Sequence, residues 1–309
     1  MGYGPLINGK QTAISKWKAP GLRSCLESPT DPRRQSLLRR HTTHPTWKGI
    51  YMLYLSNLCL EVTRKCNLRC AHCLRGNPQR VTMTPQIISR VLSHIESIDT
   101  VTFTGGEPSL ASEAIEEFLQ QCYWRKISFR TFYIVTNGKT RNGFTKFLTA
   151  VDKLYSYADQ QDECCLTVSQ DQYHRSEFRV DIDKFNKAYD PYEGDYYIER
   201  PYFTADSRTS DIREPLAEGR AIETQVGWKD PEQQAPWVIY EKEDGTITFP
   251  SGENDMVYVA ANGNVVSSCN MAFRRMDQES KGNVLTQSLP EIIQSFSTPY
   301  VEQEEAIAV

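Results

Sequence analysis

The sequence predicts an α/β protein built on a parallel sheet. From Leu58 to Ile222, apolar strand-like stretches alternate with helix-like stretches, and this alternation is typical of βαβ units. The chain has 309 residues, of which 39% are hydrophobic and 24% charged. That composition suits a soluble domain with a full-sized core.

The predicted elements follow one another in a regular order. Strands are predicted at Leu58–Val62, Val101–Thr104, Phe132–Thr136, Cys164–Ser169 and Tyr196–Phe203. The first helix begins at Thr84-Pro85, because proline suits the first helical position. Further helices are predicted at Ala111–Trp124, Phe144–Tyr155, Phe178–Tyr189 and, as a helix or a turn, Arg213–Ile222. Apolar residues recur at three- and four-residue intervals in the first of these helices, which predicts buried faces.

Beyond Gly227 the pattern changes. Asp244-Gly245 and Asn262-Gly263 each lie between two short apolar stretches, and such dipeptides are typical of β-hairpin turns. Leu289–Phe296 is predicted to be a short terminal helix. The chain is therefore divided into residues 1–50, a basic and poorly structured arm; residues 51–225, a core domain; and residues 226–309, a smaller extension with two hairpins.

The arm differs from the rest of the chain in charge. It holds nine Lys or Arg residues against Glu27 and Asp31, although the whole chain has a net charge of −4. Clustered basic residues attract phosphate, so the arm could bind nucleic acid or an acidic partner. A solvated arm without a ligand is the favoured interpretation, because its composition has few apolar residues to bury.

One run of thiols carries most of the recognisable chemistry. Nine cysteines are an odd number in a long chain, which favours a reducing compartment and metal-binding thiols over a disulfide framework. Cys66, Cys70 and Cys73 form a Cys-x3-Cys-x2-Cys run just after a predicted strand. The other six are interpreted as small core residues: Cys25, Cys59, Cys122, Cys164, Cys165 and Cys269.

Two metal centres fit this run. A 4Fe-4S cluster normally takes four thiolates, so three would leave one iron open to a small ligand, as an open position on zinc marks a catalytic site. The alternative is zinc with His72 or a distant cysteine as fourth ligand. Zinc folds usually pair two short cysteine spacings, and no second pair follows here. Neither centre explains the Gly105-Gly106-Glu107-Pro108 sequence without a bound small molecule.

The two motifs together resemble the radical S-adenosylmethionine (SAM) superfamily. Cys66 to Cys73 follow one strand and Gly105 to Pro108 follow the next, in the order that this family uses. The resemblance covers roughly Leu58 to Gly219. It implies that Cys66, Cys70 and Cys73 hold a 4Fe-4S cluster and that the amino and carboxylate groups of SAM bind the fourth iron.

The resemblance also implies which residues contact SAM. Gly105, Gly106, Glu107 and Pro108 would line its methionine amino group, because glycine permits close approach and a carboxylate accepts from an ammonium. The further implied contacts are Ser169 and Asp171 at the ribose, Asn137 at the end of the third strand, and His72 near the adenine. The family usually has an aromatic residue at the position of His72, and an imidazole can still stack.

The fold and reaction implied by the resemblance agree with the strand pattern. The fold would be a partial (β/α)6, TIM-like barrel with its site at the carboxyl ends of the strands, where barrel enzymes place their chemistry. One electron from an external donor of the flavodoxin or ferredoxin type would cleave SAM to methionine and a 5′-deoxyadenosyl radical. That radical would abstract hydrogen from the substrate.

The last part of the chain resembles a SPASM or twitch extension. Leu216–Ala221 is similar to the junction before such extensions, and Val259–Cys269 to their hairpin. Those domains bind auxiliary clusters through several cysteines, whereas this region has Cys269 alone, so a cluster-free cap and a single 4Fe-4S cluster per chain are expected. The cap favours a peptide or protein side chain as substrate, with a small molecule also open.

Two alternatives to this function remain open. The basic arm favours a nucleotide or RNA substrate, and a non-catalytic iron-sulfur or zinc-binding interaction protein would retain the same fold. No apolar run is long enough for a membrane span and no secretory signal is recognised, so a cytoplasmic protein without membrane contact is expected.

Overall fold

A computed structural model describes residues 52–139, 144–177, 203–204, 214–249 and 255–300. The basic arm, the helix predicted at Phe178–Tyr189 and most of the fifth predicted strand lie outside the described residues. No described helix has the length and apolar character that crossing a lipid bilayer would require.

The core is a parallel sheet, as the alternating pattern predicted. Its strands are β1 (Leu53–Thr63), β2 (Ile95–Gly105), β3 (Ser128–Thr136), β4 (Cys165–Val168) and β5 (Phe203–Thr204). They lie side by side in this order, and each neighbouring pair is parallel. The fold class is therefore confirmed as the parallel α/β sheet of a partial barrel.

Strand β1 is longer than predicted. It has eleven residues and begins at Leu53 instead of Leu58. The polar residues Ser56 and Asn57 interrupt the apolar run in the sequence, and this hid the first half of the strand. Leu53 and Leu55 are nevertheless buried at 0% and 2% exposure, because β1 lies in the interior of the sheet, where both faces are covered.

Helices cover one face of the sheet. The longer described helices are α1 (Pro85–Leu92), α2 (Ser112–Arg125) and α3 (Phe144–Tyr157), followed by the short α4 (Gln172–Glu177). Helix α1 begins where the sequence predicted, since the Thr84 hydroxyl accepts from the Ile87 N–H and Pro85 occupies the first turn. Phe103 from β2 and Phe118 from α2 pack edge to face in the core below.

The C-terminal strands extend the same sheet on the other side of β1, and short helices lie between them. The bounds of these elements are as follows. They are α5 (Arg220–Glu223), β6 (Trp237–Glu241), β7 (Ile247–Thr248), β8 (Met256–Val259), β9 (Asn264–Val266), α6 (Phe273–Gln278), β10 (Gly282–Asn283), α7 (Leu289–Ser295) and β11 (Ser297–Pro299). Both predicted hairpins are present, as the antiparallel pairs β6–β7 and β8–β9. Strand β8 also pairs in parallel with β1, so β1 lies between β2 and β8.

A buried ionic network links β1 to the C-terminal region. Arg64 is 1% exposed and bonds Glu61 through Nε at 2.6 Å and Asp277 through both terminal nitrogens at 2.8 Å. The other Glu61 oxygen accepts from the Tyr258 hydroxyl at 2.8 Å. Buried charges require such partners, so Arg64, two residues before Cys66, is held by the last third of the chain.

Candidate active site

The cysteine run forms a loop directly after β1. Cys70 is buried, and Cys66 and Cys73 are half-buried. The Cys66 sulfur accepts from the Leu68 N–H at 3.4 Å and from the Asn137 side-chain amide at 3.8 Å. Burial raises the pKa of the Cys66 thiol to about 11. A bound metal would reverse this preference, because a cation favours the thiolate.

Arg220 is hydrogen-bonded to the backbone of the cysteine loop. Its side chain is 7% exposed, and its terminal nitrogens donate to the carbonyl oxygens of Cys70 at 3.1 Å and Gly76 at 3.0 Å. Its backbone N–H donates to the Cys73 carbonyl at 2.9 Å. Three separate points on the loop are therefore fixed by one residue, which also brings a positive charge to the three thiols.

Gly219 permits this approach. Its φ is +58°, a conformation that favours glycine, and a Cβ built on it would lie 2.1 Å from the Leu74 carbonyl oxygen. The junction segment noticed in the sequence therefore packs its backbone directly against the cysteine loop.

The two glycines at the end of β2 also pack on this part of the chain. A Cβ on Gly105 would lie 2.1 Å from the Thr63 oxygen, and one on Gly106 would lie 2.3 Å from the Lys65 oxygen. The Gly106 and Glu107 N–H groups donate to these same carbonyls at 2.7 and 2.8 Å. The glycines thus join the ends of β1 and β2, a role that was not anticipated beside the predicted contact with SAM.

Glu107 is buried and ties two strand ends together. It is 1% exposed, and its carboxylate accepts from the Ser109 N–H at 3.0 Å, the Thr136 hydroxyl at 2.6 Å and the Asn137 N–H at 2.8 Å. Three hydrogen bonds leave a carboxylate with room for one more donor, since its two oxygens have about four acceptor positions.

Asp171 begins helix α4. One of its oxygens accepts from the Tyr173 and His174 N–H groups, and the other lies 2.7 Å from His174 Nδ1. Burial alone would raise the pKa of Asp171, but the hydrogen bonds and charge of His174 outweigh it and lower this pKa to about 2. Asp171 is therefore a helix cap whose carboxylate pairs with His174, and contact with a ribose stays a prediction.

His72 packs against two rings of helix α4. Its ring stacks on Tyr173 with centroids 4.5 Å apart and meets the His174 ring edge to face at 5.2 Å. Burial lowers the pKa of His72 to about 4, so its imidazole is neutral near pH 7. A neutral, stacked ring is suited to packing beside a planar group such as adenine.

A single cavity of about 510 Å³ brings most of the predicted site residues together. Its lining includes Cys66, Cys70, Cys73, His72, Gly105, Gly106, Glu107, Pro108, Asn137 and Ser169. Asp171 is not part of the lining and reaches it through His174. The residues lie at the carboxyl ends of β1, β2, β3 and β4, which is where barrel enzymes bind their ligands.

Some residues of the site were missed in the sequence. Arg64, Arg75 and Arg220 line the cavity, as do Cys59 and Cys269, which were interpreted as ordinary core residues. Cys269 is half-buried and not a core residue. The position of Arg75, two residues after the last clustered cysteine, and that of Arg220 after Gly219 were the only available signals. Neither position alone predicts the contacts, which span 150 residues for Arg220 and 196 for Arg75.

The residues present fit a three-thiolate iron-sulfur cluster with a small cofactor beside it. Three thiols from one short loop line a cavity that continues past the loop along four strand ends. The Cys66 sulfur already accepts hydrogen bonds, as a thiolate ligand would. The fold and this donor set suit an iron-sulfur cluster at the open end of a parallel sheet.

The comparison with protein families names the class. Residues 60–157 match the model of the radical SAM superfamily. This part of the chain, about a third of it, therefore carries a radical SAM domain. Domains of this family use a 4Fe-4S cluster and SAM, in agreement with the motifs.

Individual relatives are distant. An uncharacterised protein of Methanocaldococcus jannaschii, MJ0907, is 31% identical over 71 residues, a match that spans 22% of this chain and about a quarter (25%) of that protein. Among solved structures, anSMEcpe with bound AdoMet and Cp18Cys peptide has 15% identity and a TM-score of 0.44, covering 79% of this chain and 82% of its own. Streptococcus suis SuiB bound to precursor peptide SuiA has 14% identity and a TM-score of 0.36, covering 78% and 64%.

Proposed function

We propose that this protein is a radical SAM enzyme that cleaves SAM reductively and abstracts hydrogen from a substrate bound in the same cavity. The observation that carries the proposal is that one cavity is lined by Cys66, Cys70 and Cys73 and also by the Gly105–Pro108 segment and Asn137. A structural metal site would need no second motif at the neighbouring strand end.

This arrangement supports a specific proposal for the cofactor and its protein ligands. Cys66, Cys70 and Cys73 would hold one 4Fe-4S cluster, which supplies the electron that breaks a carbon–sulfur bond of SAM. Glu107 offers its remaining acceptor position to the SAM ammonium. Arg220 keeps the cysteine loop in shape, and its charge offsets that of the thiolates.

The remaining proposed SAM contacts surround this point. His72 is proposed to stack on the adenine, and its existing stack with Tyr173 supports this role. Ser169 lines the cavity at the end of β4, where a hydroxyl can bond the ribose. Asn137 stands beside the Cys66 sulfur, and Asp171 acts by fixing His174.

A peptide or protein side chain is the favoured substrate. The C-terminal region, proposed to be a SPASM-like extension of residues 226–309 without an auxiliary cluster, supplies Met256, Cys269, Asn270 and Phe273 to the cavity wall. A wall made by an added module suits substrate selection, because the parallel sheet already provides the cofactor site. The nucleotide or RNA alternative rests on residues 1–50, which lie outside the described residues.

The test is SAM cleavage by the reconstituted protein. Iron and sulfide are added anaerobically, then dithionite and SAM, and 5′-deoxyadenosine is measured by chromatography and mass spectrometry. We expect 5′-deoxyadenosine in amounts that rise with time, and none from a variant with Cys66, Cys70 and Cys73 all replaced by Ala. Zinc in place of iron, or no 5′-deoxyadenosine from an iron-loaded protein, would support a non-catalytic binding protein instead.

Substrate class is tested in the same assay. Deuterated peptides and nucleotides are supplied in turn, and deuterium in 5′-deoxyadenosine identifies the hydrogen donor. The physiological electron donor is proposed to be a small flavodoxin or ferredoxin, and replacement of dithionite by either one tests it.

A further inference from the structure

One wall of the cavity carries a cation that no cofactor contact accounts for. Arg75 lines the cavity together with Cys59, Cys269 and Asn57. Its Nη1 donates to the Met271 carbonyl at 2.7 Å, and its guanidinium carbon lies 5.2 Å from the centre of the Tyr258 ring. Arg75 is thus fixed to the C-terminal wall, although it comes from the loop after Cys73.

The guanidinium of Arg75 keeps unused donors. An arginine has five N–H groups, and the side-chain hydrogen bonds of Arg75 with described residues use only Nη1, to the Met271 oxygen and at 3.9 Å to the Met276 sulfur. Within the described ranges no side-chain N or O of Arg75 is both buried and without a partner. Its remaining nitrogens therefore reach open space, and the cavity that Arg75 lines provides that space.

The other two arginines of the cavity have their partners already. Arg64 bonds Glu61 and Asp277, and Arg220 bonds two loop carbonyls. Across the described part of the chain, no carboxylate lies within salt-bridge distance of Arg75. Burial alone would lower the pKa of Arg75, but nearby groups that include the Glu61 carboxylate raise this pKa without direct contact. An anion bound directly to the guanidinium would further lower the cost of burying this cation.

A second polar group, on β1, also lines this cavity and lacks a partner in the described part of the chain. Asn57 Oδ1 is buried and has no hydrogen-bond partner among the described residues. Asn57 and Cys59 are alternate residues of β1, so their side chains point to the same face about 7 Å apart. A ligand anion at Arg75 with an N–H group nearby could therefore satisfy both the cation and the acceptor.

We propose that the cavity binds a substrate through a carboxylate, which is held by the unused N–H donors of Arg75, with Asn57 Oδ1 accepting from an N–H of the same substrate. A peptide C-terminus or an acidic side chain has this chemistry. A single available cation matches the single charge of a carboxylate, whereas a phosphate group would bring nearly two charges. The proposal rests on the proposed function only in taking this cavity as the substrate pocket.

The test measures ligand binding and needs no turnover. N-acetylglycine and N-acetylglycinamide differ only in carboxylate against amide, and both carry the N–H that Asn57 would accept. Ligand-observed NMR measures their dissociation constants with the iron-loaded protein, without reductant and at saturating SAM. We expect N-acetylglycine to bind at least tenfold more tightly than the amide, because an arginine–carboxylate pair is charge-assisted.

Variants locate the binding. R75Q should remove the preference for the carboxylate, R75K should retain part of it, and R274Q, which changes an exposed arginine on α6, should leave it unchanged. A preference that survives R75Q, or equal binding of both probes to the wild-type protein, would overturn the proposal. Binding that SAM displaces would belong to the SAM site and would overturn it too.

These outcomes are separate from those of the SAM-cleavage assay. A protein that forms 5′-deoxyadenosine but binds both probes equally keeps its function and loses this inference. If R75Q does not fold, the proposal is still tested by R75K and by the ratio of the two dissociation constants measured with the wild-type protein. Added inorganic phosphate distinguishes the competing anion, since displacement of N-acetylglycine by phosphate at lower concentration than by acetate would point to a phosphate site instead.

Discussion

Replacement of Arg220 should detach the cysteine loop from the rest of the site. In R220Q the side chain is neutral and reaches at most one of the two carbonyls that Arg220 bonds at 3.1 and 3.0 Å. A hydrogen bond from a charged group contributes about 1.5–3 kcal/mol. Losing one such bond and weakening the other should therefore lower the free energy of unfolding by about 2–4 kcal/mol.

The charge of Arg220 should also affect the cluster. Removing a buried cation beside three thiolates makes the addition of an electron harder, so the midpoint potential of the cluster in R220Q should fall. R220K keeps the charge but loses the two-pronged geometry. Its midpoint potential should therefore lie closer to the wild-type value than its free energy of unfolding does. The pair of variants separates the electrostatic effect from the positional one.

Three measurements check these expectations for R220Q. Urea unfolding gives the stability change, iron and sulfide analysis gives cluster content, and a redox titration followed by EPR gives the midpoint potential. K153Q, which removes an exposed ion pair with Glu116, should change stability by less than about 1 kcal/mol and serves as the control. Unchanged stability, iron content and potential in R220Q would refute the assigned role of Arg220.

Four further variants test other parts of the site. C70A should abolish the brown absorbance of the cluster, whereas C269A should leave iron content unchanged. G106A should lower both SAM affinity and stability, because its Cβ would lie 2.3 Å from a backbone oxygen of the cysteine loop. D171N should lower the melting temperature at pH 7, and its difference from wild type should shrink as pH falls from about 4 towards 2, since the pKa of Asp171 is lowered from 3.8 to about 2 by its contacts with His174.

The sign of the Asp171 effect follows from linkage. A carboxyl whose pKa is depressed in the folded state adds stability above its unfolded pKa and loses it as pH falls through the folded value. Thermal melts of wild type and D171N across this range would contradict it if the difference stayed constant. For the other variants, iron above about four per chain, loss of iron in C269A, or wild-type SAM affinity in G106A would each contradict the corresponding role.

The sequence predicted the parts of the fold that depend on local patterns. Strand–helix alternation, the Thr84-Pro85 helix start and the two hairpins are set by nearby residues, and all are confirmed. The parallel pairing of β8 with β1 was not predicted, because it joins residues about 200 positions apart. The domain boundaries at residues 50 and 225 stay predictions.

The site residues, too, could be predicted only where a local motif marks them. Its motif residues were recognised in the sequence, and most of them line one cavity. Arg220, Arg75 and the ionic partners of Arg64 were not recognised, because an arginine contact depends on the fold and leaves no spacing rule. Glu107 was expected to meet only the ligand, yet it also joins Thr136 and Asn137, which a strand-end carboxylate does only in the assembled sheet.

The position of β1 has a consequence for the order of assembly. One edge of β1 pairs with β8, and Arg64, which follows β1, is held by Asp277. The strand that precedes the cysteine loop therefore keeps one edge unpaired until most of the chain has been synthesised. Contacts this distant in sequence form slowly, and open edges invite aggregation. Cluster insertion should therefore be a late event that follows synthesis of β8, and a nascent chain that stops before it should stay a client of chaperones.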